Sequence, residues 1–167
     1  MPTEPKLPFD PIERAADIWS KRIGEATPMK LATSIMRVQQ LILAELDAAL
    51  KPHDITFARY EVLVLISFSA EGSLPLSKIG ERLMVHPTSV TNAIDRLEAQ
   101  GLVKRLPDAA DRRRTFAELT AKGKDVLDGA TKALMAIDFA IDGLSAEEQD
   151  QTYDLLRSLR AAAGDFA

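Results

Sequence analysis

Hydroxyls, one amide and a cluster of arginines are the chemically suggestive residues of this chain, and they fall in two short segments. In the first, Thr88, Ser89, Thr91, Asn92, Asp95 and Arg96 are interleaved with Val90, Ile94 and Leu97. If the apolar three face a core, helical spacing carries the polar six to the opposite side. Asparagine can pair bidentately with adenine, serine and threonine can reach base edges or phosphate, and the free N–H groups of a helix start can bind phosphate. Pro87 suits the first position of such a helix, because its missing N–H has no partner there anyway. Taken alone, these residues are explained equally well as a solvated polar face. In the second segment, Asp111-Arg112-Arg113-Arg114 lies between two stretches that read as strands. Arginines at the tip of a ribbon can enter a narrow minor groove, where negative potential is focused. Arg112 or Arg113 is placed for insertion, Asp111 for holding a neighbouring arginine, and Arg114 for lying near phosphate. A mobile, solvated hairpin is the competing account of the tip.

Other chemistries lack their residues. Cysteine is absent, which removes disulfides, thiolate catalysis and cysteine-built metal sites together. The two histidines, His53 and His86, lack the paired spacing that holds zinc. No glycine-rich phosphate loop and no carboxylates at metal spacing are present, so neither an enzyme nor a bound cofactor or metal is expected. The formal charge of −4 argues at first sight against a nucleic-acid partner. Between Lys78 and Arg114, however, eight basic residues face five acidic ones, which leaves −7 for the remainder. A basic island in an acidic chain restricts double-stranded DNA to one face, and Lys78 joins the candidate contacts. The longest strictly aliphatic run, Val62 to Ile66, is too short to cross a bilayer. The first 11 residues, with four prolines and two acidic side chains, read as an extended arm rather than a signal peptide. A cytoplasmic protein without membrane contact is the expectation.

The elements that must position these segments follow from periodicity. Ile12, Ala15, Ala16, Trp19 and Ile23 mark a short helix over 10–24. Leu31, Ile35, Val38, Ile42, Leu46 and Leu50 mark a long one, stopped by Pro52. Tyr60 to Phe68 reads as a buried helix, with a strand as the competing reading. Gly72-Ser73-Leu74-Pro75 reads as a turn, and Ser77 as the cap of a helix running to Met84. A tight turn at Met84-Val85-His86 leads to the helix begun by Pro87 and ended by Gly101, which makes a helix-turn-helix. Leu102–Leu106 and Thr115–Leu119 form the ribbon. Thr120 caps a long helix carrying Val126, Ala130, Leu134, Ile137 and Ile141 to Gly143, and Ser145 with Glu148 forms a capping box for the last helix. The fold expected is mainly α: a winged helix-turn-helix over 57–119 with a two-stranded β-wing.

The run Leu76-Ser77-Lys78-Ile79-Gly80-Glu81-Arg82-Leu83, then Pro87 to Glu98, Gly101-Leu102-Val103 and Asp108 to Arg113, resembles the MarR family of bacterial regulators. The likeness spans roughly Leu31 to Leu159. It implies a homodimer whose dimerisation layer is built from 30–50 and 120–163, with Leu134 at the contact between chains, and a single domain of this kind over 1–167. It also implies two reading helices in successive major grooves of a pseudopalindrome, in a transcriptional regulator of repressor type. The family often has Ser or Thr where His86 stands. The helix over 10–24 with Trp19 is similar to a subgroup that includes urate-responsive regulators. Family members bind small anionic aromatic or carboxylic effectors, for which the resemblance nominates Trp19, Arg37, Gln40, His53, Arg59 and Tyr60. Arg37 and Arg59 could each offer a fork to a carboxylate, and each serves as readily in a surface ion pair. A winged-helix protein-interaction module without DNA binding is the rival reading.

Overall fold

A computed structural model describes residues 7–108, 111 and 114–166. The backbone forms two compact units, 1–44 and 45–167. In the first, α1 (Pro11–Arg22) starts where the Asp10 carboxylate accepts N–H bonds from Ile12 and Glu13, with Pro11 in the first turn and Lys21 and Arg22 in the last. Anionic caps and basic ends both complement the helix dipole. Ala16 is buried and Trp19 half-buried, whereas Ile18 and Ile23 are exposed. The Glu25 carboxylate accepts the Thr27 N–H at 2.8 Å where α2 (Thr27–Leu50) begins. Hydrogen bonding from the Thr27 side chain, and after it from the Thr27 backbone N–H, holds its pKa below the ordinary carboxylate value. Within this unit Leu31, Met36, Val38 and Leu41 of α2 remain exposed.

The second unit begins with the last turns of α2, where Leu46 and Leu50 are buried. Pro52 lies in a single 3-10 turn (Lys51–His53), and Asp54 reverses the chain in the left-handed region. The Asp47 carboxylate then accepts the Phe57 N–H at 2.7 Å, fixing the start of α3 (Phe57–Ser67). The apolar run is thus a helix and not a strand. It is the centre of the core, burying Tyr60, Val62, Leu63 and Ile66 and packing against α4 (Leu76–Leu83), α5 (Pro87–Ala99), α6 (Ala121–Ala136) and the sheet.

The helix-turn-helix is α4 and α5, joined through Met84 in the left-handed region. The two helices approach closely at Gly80, where a Cβ would lie 3.3 Å from Val90 Cγ2. Ser77 does not cap α4: the helix starts one residue earlier, flanked by Pro75 and without a side-chain cap. At α5 the Nδ1 of His86 accepts the Thr88 N–H at 3.2 Å, so an imidazole takes the capping role of a hydroxyl. Gly101, at φ 71°, lets the chain leave α5, and the Leu102 N–H returns to the Leu97 carbonyl at 2.9 Å.

The two strands of the expected wing are present, and a third antiparallel strand joins them in one sheet. The residues read as a turn form β1 (Ser73–Pro75), which pairs with β3 (Thr115–Leu119), itself paired with β2 (Val103–Pro107). Leu74 and Arg105 both stand opposite Ala117, on the two sides of β3. Thr120 caps α6 by accepting the Gly123 N–H and itself donates to the Gly101 carbonyl at 2.7 Å. Gly123 is required there, since a Cβ would lie 2.0 Å from the Leu102 oxygen.

The helix expected to run to Gly143 ends at Ala136. Asp138, Phe139 and Ala140 take consecutive left-handed conformations before α7 (Ala146–Ala162), which opens with the Ser145–Glu148 capping box. Leu134, expected between chains, is fully buried within its own chain. No residue of α7 is buried, and Leu155 and Leu159 are 73% and 56% exposed. No helix among the described residues is long and apolar enough to cross a membrane.

Candidate nucleic-acid interface

Burial of Val90, Ile94 and Leu97 turns one side of α5 into the core and leaves Thr88, Ser89, Thr91, Asn92, Asp95 and Arg96 exposed on the other. Asn92, Asp95, Arg96 and Ala99 line a shallow depression on that outer face. The polar groups are not equally available. The Thr91 hydroxyl is turned back to the Pro87 carbonyl at 3.1 Å, while Arg96 has no ion-pair partner among the described residues. Lys78, on α4, is engaged with Glu81 at 2.6 Å, an exposed pair that water screens.

Beside α5 lies the β2–β3 hairpin. Its described connections are the Asp108 N–H to the Arg114 carbonyl, the Asp111 N–H to the Asp108 carboxylate and the Arg114 N–H to the Asp111 carbonyl. Arg114 rests its guanidinium on the Phe116 ring, 5.4 Å from the centroid, and pairs with Asp108 at 3.5 Å. Arg112 and Arg113, the residues expected to enter a groove, lie outside the described residues.

Two connections escaped the sequence reading. Arg105 of β2 places one nitrogen 2.5 Å from Asp95 and another on Glu98, and its own backbone N–H reaches Glu98 at 3.2 Å. Burial works against its charge, but the hydrogen bonds and the attraction of both carboxylates prevail and push its pKa up. Gln100, just beyond α5, donates to both the carbonyl and the carboxylate of Asp54 at 2.7 and 2.9 Å. Its own carbonyl accepts from Lys122 at 2.8 Å. The α5 segment is thereby tied to the ribbon on one side and to the turn before α3 on the other.

The six residues nominated for an effector divide between the two units. In the first, Arg37 donates to Gln40 at 3.3 Å, both exposed on α2, and Trp19 lies on α1. In the second, the His53 ring packs on Gly129, where a Cβ would come within 2.9 Å of it. The Arg59 guanidinium contacts Thr56 and Gln100 at 3.3 and 3.5 Å. Tyr60 is buried, with its hydroxyl 3.1 Å from that of Thr131.

A MarR family model matches residues 55–115. Among solved structures, Sco5413, a MarR family transcriptional regulator from Streptomyces coelicolor, is 54% identical. It superposes with a TM-score of 0.78 over 84% of this chain and 97% of its own. A single-site mutant of MarR from E. coli, complexed with operator DNA, is 26% identical with a TM-score of 0.71, covering 86% of this chain and 98% of its own. CouR from Rhodococcus jostii RHA1, bound to p-coumaroyl-CoA, is 28% identical with a TM-score of 0.67, covering 77% and 90%. A helix-turn-helix with a polar outer face, a β-ribbon beside it and these likenesses agree: the chain belongs to the MarR family of transcriptional regulators, a class of proteins that are not enzymes.

Proposed function

We propose that the chain is a repressor that binds a pseudopalindromic operator as a homodimer, reading base edges with Thr88, Ser89, Asn92 and Arg96 and flanking phosphates with Lys78, Arg114 and the ribbon. The observation that carries this reading is the outer face of α5, where these α5 side chains stand exposed on a helix whose other side is locked into the core. The operator complex of E. coli MarR supports it, since that protein shares the fold over most of both chains. A small anionic aromatic effector releases the DNA by favouring a spacing of the two reading helices that does not fit it. The p-coumaroyl-CoA complex of CouR supports this part. The exposed apolar residues of α2 and α7 support pairing of chains.

Selection of bound sites from a library of random duplexes tests the reading. The expected product is a pseudopalindrome with half-sites about one helical turn apart. Affinity for it falls steeply as salt rises and weakens on addition of an aromatic carboxylate or acyl thioester. Recovery of no motif, with no salt-sensitive binding, would leave a protein-interaction module instead.

A further inference from the structure

We propose that Arg105 is the residue that makes α5 electrostatically acceptable to DNA: it holds Asp95 and Glu98 in one fork and cancels their charge at the surface that must meet phosphate. The inference rests on the DNA-binding reading above. From Pro87 to Gln100 the chain carries Asp95, Arg96 and Glu98, a formal −1 on the helix that has to approach a polyanion. Asp95 shares its depression with Asn92 and Arg96, so its carboxylate lies among the proposed reading groups and well inside the ~10 Å over which salt leaves charges unscreened. Arg105 brings the helix to neutrality. Its guanidinium divides its N–H groups between the two carboxylates, its backbone N–H takes a second oxygen of Glu98, and its side chain is only 27% exposed. A planar fork can span two acceptors three residues apart on a helix, which a lysine ammonium cannot do with the same geometry. With both terminal guanidinium nitrogens engaged by these carboxylates, Arg105 acts through Asp95 and Glu98 and is a positioning residue, not a phosphate ligand.

The test compares four chains on one duplex selected with the natural protein: the natural chain, Arg105→Ala, Asp95→Asn with Glu98→Gln, and all three substitutions together. Arg105→Ala is expected to weaken binding by about ten-fold or more at moderate salt. The triple variant should recover to within about three-fold of the natural chain, because the charges that Arg105 cancelled are gone. The variant lacking only the carboxylates should bind at least as tightly as the natural chain, and this arm stands even if Arg105→Ala fails to fold. Were Arg105 itself a phosphate contact, the triple variant would stay as weak as Arg105→Ala, and both would show a salt slope flattened by about one. That outcome, or weaker binding by the carboxylate-free chain, overturns the proposal and leaves the DNA-binding reading intact. Failure of the natural chain to bind any duplex overturns both.

Discussion

Glu61 sits half-buried on α3 without an ion pair among the described residues, and burial raises its carboxyl above the ordinary value. A raised carboxyl means that the folded chain holds the proton more tightly than the unfolded chain. The ionised group therefore opposes folding at neutral pH, and the opposition fades as pH falls through the folded value. Glu61→Gln is expected to raise the melting temperature at pH 7 and to lose that gain at pH 4. An equal gain at both pH values would assign the effect to something other than charge. At this scale the sequence was readable where one helix decides everything. The exposure of Thr88, Ser89, Asn92 and Arg96 follows from the burial of Val90, Ile94 and Leu97 on the same helix. The grip of Arg105 on Asp95 and Glu98 was not readable, because it depends on how β2 turns back along α5. Tyr60, nominated for an effector by the family resemblance, shares its hydroxyl with Thr131 on α6, 71 residues away.

Between α6 and α7 the chain takes three consecutive left-handed residues, none of them glycine. Such a conformation costs roughly 1–2 kcal/mol per residue with a side chain. The Gln149 amide helps hold it, bonding the carbonyls of Leu144 and Ile141 at 3.0 and 3.5 Å and the Asp138 carboxylate at 3.4 Å. Ala140→Gly removes the steric cost at one position while adding freedom to the unfolded chain, worth roughly 0.5–1 kcal/mol against folding. The expected outcome in urea unfolding is a stability unchanged or higher by up to about 1 kcal/mol, and a clear loss would show that the position is unstrained. This break was hidden from the sequence, since Ile137 and Ile141 continue the apolar stripe of α6 and nothing in their types records the sign of φ. The third strand was hidden for a related reason. Ser73–Pro75 is short and contains a proline, which suits an edge, but its partner β3 is more than 40 residues away and no local pattern announces the pairing. Elements defined by their own caps were legible: Thr120, Gly101 and the Ser145–Glu148 box lie where local chemistry puts them.

On the scale of the molecule, the apolar residues left uncovered are as informative as the core. Leu134 belongs to the interior of its own chain, so an aspartate there would damage folding and say nothing of assembly. The residues that can report on assembly are those of α7, where Leu155, Leu156 and Leu159 lie on a helix with no buried position. Fully covering a leucine is worth about 1.5–3 kcal/mol, so a second copy of the chain laid on this face would gain in proportion to what the isolated chain leaves uncovered, most at Leu155, then Leu159, and least at Leu156. Changing Leu155 and Leu159 together to Asp is therefore expected to turn the proposed homodimer into a single chain in sedimentation equilibrium. The far-UV circular dichroism should remain that of the natural protein. Affinity for a two-half-site duplex should fall far more than affinity for a single half-site, because only the former needs both reading helices on one particle. A double variant that still sediments as two chains would place the contact elsewhere, and one that loses its helical signal would place these leucines in the fold of the chain itself.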